Sequence, residues 1–381
     1  MFDWRRSSFL STIAGGLLVL LTQSASADPT LGLPPLEDPR NDPSAAARAE
    51  LGRKLFMDRR LSRNGTMSCG MCHVPEQGFS VNEMTTAVGI EGRSLRRNAP
   101  TVLNVGFQRM LFHDGRETSL ERQVWGPLLA ADEMGNASRA AVVARVSALA
   151  DYSAAFARVF PGVGISEDTI AAALAGYERA LVAGSSRFDR WFFGGESSAL
   201  TAEERTGLEL FRSKAGCSAC HLFSQREALF TDHRFHNTGV GWARANAASR
   251  IFSVPLGGGE TADASAAEMT ALFGGDLRDD GRFEVTHRPG DRWAYKTPNL
   301  RNVALTAPYM HDGSLATLRD VIEFYDRGGI DNPSKDAQLQ PLHLSLGEKQ
   351  ALEAFLRALT GENVRRLAAE ARAAFHATGA R

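Results

Sequence analysis

Four residues of one type organise the chemistry of this 381-residue chain: Cys69, Cys72, Cys217 and Cys220 are all the cysteines it has. They form two pairs of equal spacing, Cys69-Gly70-Met71-Cys72 and Cys217-Ser218-Ala219-Cys220, each followed at once by a histidine, His73 and His221. Two thiols so spaced add across the vinyl groups of haem, and the adjoining imidazole then falls under the iron as its proximal ligand. Disulfides are the first alternative for cysteines in an oxidising compartment. A zinc site would need the two pairs to converge without haem, and a thioredoxin-like dithiol leaves both histidines unexplained. Two matches that use every cysteine predict two covalent c-type haems.

The elements that must hold these groups are themselves duplicated. Pro100-Thr101-Val102-Leu103-Asn104-Val105 leads to His113-Asp114-Gly115, and Pro298-Asn299-Leu300-Arg301-Asn302-Val303 leads with the same spacing to His311-Asp312-Gly313. Leu120 and Leu318 follow in register, and Gly52-x-x-Leu55-Phe56 upstream mirrors Gly207-x-x-Leu210-Phe211. The second copy is longer by about 50 residues between haem motif and proline, and a duplicated scaffold lets one copy keep electron transfer while the other changes function. Ser166 precedes Ile170, Leu174, Tyr177 and Leu181 at helical spacing. Thr201-x-x-Glu204 and Ser345-x-x-Glu348 read as capping boxes, and Leu352, Phe355, Leu356 and Leu359 form a stripe. Gly89 to Pro100 and Gly257 to Gly259 read as loops wrapped around haem, and Pro34 to Pro43 as an extended arm. The fold class expected is mainly α, with two tandem cytochrome c-type haem domains and long loops. The expected segments are a signal peptide at 1–27, haem domains at 28–200 and 201–361, and a helical tail at 362–381.

Arg5 and Arg6, an apolar run from Phe9 to Leu21 and Ala25-Ser26-Ala27 follow the order of an export signal, so the periplasm is the expected location. The paired arginines leave open a twin-arginine route beside the ordinary one. No later stretch is long and apolar enough to span a bilayer, so no membrane partner is expected. With 43 basic and 44 acidic residues there is no basic field to draw in nucleic acid.

The mature chain resembles the bacterial di-haem cytochrome c peroxidase family and its MauG branch. The resemblance is carried by Leu51-Gly52-x-x-Leu55-Phe56, Arg97-Asn98-x-Pro100-Thr101, Asp114-Gly115-Arg116, Gly126-Pro127, Glu133-Met134 and Pro308-Tyr309-Met310-His311-Asp312-Gly313. It implies two helical cytochrome domains with a calcium ion between them, one haem meeting peroxide and the other handling electrons. It implies Glu133 as the acid/base residue, Gln123 as its hydrogen-bonding partner, and Asn98 with the backbone oxygens of Thr306 and Pro308 as the calcium site. Read from its own residue type, Glu133 is a surface glutamate and Asn98 a turn residue. In the family the second haem's distal ligand lies fourteen residues after the His-Asp-Gly histidine. That position is Tyr325, and its counterpart in the first copy is Pro127. Proline offers iron no side-chain ligand, so the first haem is expected open and the second closed. A tyrosine there is a MauG-type feature, and a phenolate favours higher oxidation states. The alternative is a core tyrosine with Met310 or His311 as ligand.

Where many relatives carry a histidine in a Val-Gly-His loop, this chain reads Val88-Gly89-Ile90. Isoleucine cannot bind iron. Where the family usually places a tryptophan between the haems, this chain has His113, which is far harder to oxidise. His113, like its repeat partner His311, is a candidate to hydrogen-bond a haem propionate. His233 and His236 lie in a segment resembling one near the second haem of MauG-type members, while His287, His343 and His376 read as surface residues.

Three functions remain open: a MauG-like oxidase modifying a protein such as a methylamine dehydrogenase precursor, a peroxidase reducing hydrogen peroxide with electrons from a small cytochrome c or cupredoxin, and a plain electron carrier. Pro127, Ile90 and Glu133 argue against the carrier. Tyr325 favours the oxidase, and His113 weakens that preference.

Overall fold

The computed structural model describes residues 28–35, 43–247, 251–257, 260–265 and 279–379. The expected signal peptide and most of the Pro34–Pro43 arm lie outside the described residues. In the first half the helices are α1 (Pro43–Met57), α2 (Cys69–Cys72), α3 (Leu120–Gln123), α4 (Trp125–Leu129), α5 (Arg139–Ser147), α6 (Ala150–Val159), α7 (Glu167–Ala180) and α8 (Arg187–Phe192). The second half has α9 (Ala202–Arg212), α10 (Val240–Ala247), α11 (Phe283–Thr286), α12 (Leu318–Asp326), α13 (Leu346–Arg357) and α14 (Val364–Gly379). Four strands, β1 (Phe235–His236), β2 (Ile251–Gly257), β3 (Glu260–Ser265) and β4 (Tyr295–Lys296), form two antiparallel pairs, β1 with β4 and β2 with β3. The fold is mainly helical, as expected.

One crossed helix pair is built twice. Where α1 meets α7, a Cβ on Gly52 would stand 1.8 Å from the carbonyl oxygen of Ala173; where α9 meets α13, one on Gly207 would stand 2.0 Å from that of Ala351. Only glycine lets the backbones approach this closely. Beside each contact an aromatic pair closes edge-on, Phe56 with Tyr177 and Phe211 with Phe355, each at 5.2 Å. The helices start where the caps say. Ser166, Thr201 and Ser345 each accept from the backbone N–H three residues on, and each cap contributes about 1 kcal/mol. The stripe Leu352, Phe355, Leu356 and Leu359 is buried.

Two large hydrophobic clusters and two small ones result, and chain order does not separate the large pair. Phe188 of α8 packs in the second cluster with Leu208, Phe211 and Phe355, while Val364, Leu367 and Ala371 of α14 pack in the first with Leu55 and Phe56. Residues 28–200 and 362–379 therefore do not map one-to-one onto the cores. Gly257 differs from expectation: it is a strand residue opposite Glu260 in the β2–β3 hairpin, not part of a haem-wrapping loop. Ile251, Phe252 and Val254 favour that extended backbone over a loop.

Two buried ion networks join the halves. Arg97 bonds Asp114 of its own half at 2.5 Å and, in a fork, both oxygens of Asp279 at 2.6 and 2.7 Å, while Arg96 pairs with Glu284 at 2.7 Å. Arg301, nearly inaccessible, forks onto Asp189 with both contacts at 2.7 Å and donates to the carbonyls of Ala228 and Gly32. The segment beginning at Asp28 is thereby fastened to both halves. Among the described residues no single helix is long and apolar enough to cross a membrane.

Candidate active site

The two Cys-x-x-Cys-His segments are held by matching hardware. His73 donates through Nδ1 to the Phe79 carbonyl at 3.3 Å, and His221 to the Phe230 carbonyl at 2.8 Å. This fixes the tautomer and leaves Nε2 of each ring as the electron-pair donor for a metal. Phe79 and Phe230 share a left-handed backbone, φ 57° and 56°. The next residues hook the conserved-spacing proline loops in the same manner: the Ser80 hydroxyl donates to Ala99 O and the Thr231 hydroxyl to Thr297 O, both at 2.7 Å. Asn104 and Asn302 accept from the N–H of Ala183 and Gly361, both at 2.8 Å. Burial lowers the basicity of both histidines and pushes the Cys72 and Cys217 thiols up to about 12, so all four groups are neutral at pH 7.

In the first half Cys69, Cys72 and His73 open onto a cleft whose other walls include Gln123 of α3, Pro127 of α4 and Glu133. Glu133 is half-buried, and burial, aided by Asp132 and opposed by Arg116, pushes its carboxyl up to about 7. Its segment is fixed by backbone bonds: Ile90 N–H donates to Glu133 O at 2.9 Å and Met134 N–H to Pro127 O at 3.1 Å. Ile90 is fully buried in the first core and Gly89 lies against the Asp132 carbonyl, where a Cβ would stand at 1.9 Å. The Val88-Gly89-Ile90 segment thus braces Glu133.

In the second half, Tyr325 projects from α12. Burial, with Cys217 and Cys220 adding to it, pushes its phenol above the ordinary range, and its oxygen has no hydrogen-bond partner among the described residues. The other expected residues separate into distinct roles. His113 spends Nε2 on the Asn98 carbonyl at 3.0 Å and is held neutral, its basicity lowered to about 4 by burial and Arg97. His311 is buried, stacks on Tyr295 with ring centres 3.6 Å apart, and has no partner for Nε2. Asn98 meets the carbonyls of Pro308 at 3.3 Å and Thr85 at 3.0 Å. Thr306 turns its N–H and hydroxyl to Val303 O. His287 and His343 are exposed, as expected; the side chain of His376 lies outside the described residues.

Lys296 and Glu178 were not legible as site residues, and His233 and His236 were marked only by resemblance to a segment near the second haem. His236 sits between two carboxylates, Nδ1 to Asp336 at 2.5 Å and Nε2 to Asp232 at 2.9 Å, so both ring nitrogens carry protons. The thiol of Cys220 and the two carboxylates beside it raise its basicity above the ordinary imidazole range, and with the sulfur tied to a haem the carboxylates alone would do so. Although Cys220, Asp232 and His236 converge as metal ligands would, a haem thioether takes the sulfur out of any such set. Lys296 meets Gln108 at 3.2 Å and no carboxylate within ion-pair distance, and burial lowers it to about 8. His233 Nδ1 is buried without a partner. Glu178 of α7 lines the first cleft; the signal for it lay in the alignment of Arg179-Ala180-Leu181 with Arg357-Ala358-Leu359, which sets Glu178 against Leu356. The residues present fit two haems: a buried cysteine pair and a histidine with a free Nε2 in each half, an apolar-walled cleft in the first, and in Lys296, His233 and His311 donors short of acceptors that acidic haem edges could supply.

Duplicated helical units with a Cys-x-x-Cys-His segment each, one beside an acid/base carboxyl, define a di-haem c-type oxidoreductase. The family model for di-haem cytochrome c peroxidase matches residues 46–197. The chain is 37% identical over 325 residues to the methylamine utilization protein MauG of Methylorubrum extorquens, covering 85% of this chain and 81% of that one. It is 34% identical over 328 residues to the cytochrome c551 peroxidase of Pseudomonas aeruginosa, covering 86% and 82%. A crystal structure of a MauG-like protein associated with microbial copper homeostasis superposes with a TM-score of 0.70 at 34% identity, over 87% of this chain and 95% of that one. The chain belongs to the di-haem cytochrome c peroxidase family and is an oxidoreductase of that family; membership implies two c-type haems.

Proposed function

We propose that this is a periplasmic enzyme with a MauG-type arrangement, in which hydrogen peroxide reacts in the cleft of Cys69, Cys72, His73 and Glu133 and a partner protein or electron donor is oxidised. The observation that carries the reading is that one cleft gathers a histidine ligand, Pro127, a residue with no side-chain donor, and a carboxyl poised near neutrality. A c-type haem bound there supplies an iron that accepts peroxide oxygen and two oxidising equivalents. His73 would hold the iron through Nε2. Glu133 would take one proton of peroxide and return it to the oxygen that leaves as water; near pH 7 both forms of the carboxyl are populated, as a group that alternates as base and acid requires. Gln123, on the same cleft wall, would orient that exchange.

In the second half His221 and Tyr325 would hold the other iron, the phenolate favouring its oxidised forms. Lys296, His233 and His311 would meet haem propionates, while His113, already bonded to Asn98, is left without that role. Asn98 and the Pro308 carbonyl, with Thr306, are the proposed calcium ligands, oxygen donors for a hard cation. Spectroscopy of the ferric protein as isolated tests the reading: one high-spin and one low-spin haem, with an immediate response to peroxide before any reductant. Two low-spin haems inert until reduced would overturn it. Tyr325→Phe should abolish the low-spin signature of the second haem alone. His113 favours a second reading, a conventional peroxidase fed by a small cytochrome c or cupredoxin, because imidazole does not share a hole between haems; rapid turnover with reduced cytochrome c would select it.

A further inference from the structure

Glu178 is the one ionisable side chain of the first cleft with no task in the scheme above. It is 7% exposed, and its Oε2 is buried without a hydrogen-bond partner. It shares the cleft wall with Cys69, Leu174 and Glu133. The repeat gives its control: in the same register of the same helix pair the second half carries Leu356, also buried. Apolar packing therefore suffices at this position of the scaffold, and a carboxyl there is the costlier choice unless it is used.

We propose that Glu178 is a second proton-carrying carboxyl of the first cleft, exchanging its proton with the oxidation state of the group attached at Cys69 and Cys72. This rests on the reading that a haem is attached there. The charged and titratable groups facing Glu178 are few. On α7 its neighbour Arg179 is committed to Glu121 of α3 at 2.5 Å; α2 presents Cys69, and the loop after α4 presents Glu133. Burial pushes the Glu178 carboxyl up to about 8, with Arg179 opposing and Glu121 adding. At neutral pH it is mostly the acid. One-electron reduction of the ferric iron by an electrode removes a positive charge from the cleft, so a carboxylate at 178 takes a proton from solvent; oxidation returns the electron to the electrode and the proton to water. Leu356 allows no such exchange in the second half.

The test is a redox titration of the holoprotein from pH 6 to pH 10 on a mediated electrode, following each haem by its own absorption. The haem perturbed by peroxide should show a midpoint that falls with pH around 8, approaching one proton per electron. Glu178→Gln, of nearly the same shape, and Glu178→Leu, which installs the second half's residue, should flatten that limb and leave the other haem's curve unmoved. A purely structural role would change thermal stability and not the slope. An unchanged slope in Glu178→Gln, or equal changes at both haems, overturns the proposal. A protein with a single haem and a single midpoint overturns instead the reading of the cleft on which it rests.

Discussion

The two halves share the parts that hold each Cys-x-x-Cys-His segment and part company after the His-Asp-Gly turn. Before it, the agreement is residue by residue: Gly52 with Gly207, the His73–Phe79 bond with the His221–Phe230 bond, Asn104 with Asn302. After it, carried along the same spacing, Pro127 stands against Tyr325, Gln123 against Val321 and Glu133 against Asp331. Glu133 is half-buried and held near neutrality, whereas Asp331 is 96% exposed and paired with Lys335 at 3.0 Å. Residue type alone does not make an acid/base group. Desolvation does, and only the first half provides it.

The contrast can be broken from several sides. Glu133→Gln should slow the reaction with peroxide by about 10²- to 10⁴-fold in stopped-flow mixing, the range for loss of a general acid/base group, while Asp331→Asn leaves it unchanged. Asp189→Ala strands the Arg301 guanidinium in a site shared by both halves, and thermal or urea unfolding should register a loss of about 3–5 kcal/mol. The pH profile sharpens the comparison further. With its carboxyl raised to about 7, Glu133 is the base only above that value, so the peroxide rate should climb about tenfold per pH unit below 7 and level off above it. The stability linkage has the opposite sense. A raised carboxyl holds its proton in the fold after the unfolded chain has lost it, so stability falls as pH rises from about 4.5 to about 7. Glu133→Gln should remove its own share of that decline and leave the share of Glu178, whose carboxyl is raised to about 8. Smallest of all, Ile90→Val should cost about 0.5–1.5 kcal/mol and leave peroxide reactivity intact, because the residue braces the Glu133 segment and binds nothing; a large change in rate would mean that Ile90 does more than pack.

Much of this was legible because covalent and periodic signals dominate. The cysteine pairs, the repeat and the caps at Ser166, Thr201 and Ser345 are local patterns, and each appears where its spacing places it. What escaped the sequence was pairing across distance. Arg97 and Asp279 are 182 residues apart in the chain, and His236 and Asp336 are 100 apart. No local pattern announces such contacts. The mixing of cores escaped for the same reason: Phe188 and Leu367 look like ordinary apolar residues of their own segments until α8 and α14 cross to the opposite cluster. Gly257 misled because glycine near a haem motif reads as loop, while the β-branched residues before it favour a hairpin.

Arg97 has one further consequence. Its guanidinium is fully engaged, grasping one half with one nitrogen and the other half with two, and the carboxylates it holds are almost completely dehydrated. A hinge at this seam would have to expose those charges, so the halves move as one block. Any electron passing between the two sites would then cross a gap of constant width, without the swing of one domain toward the other.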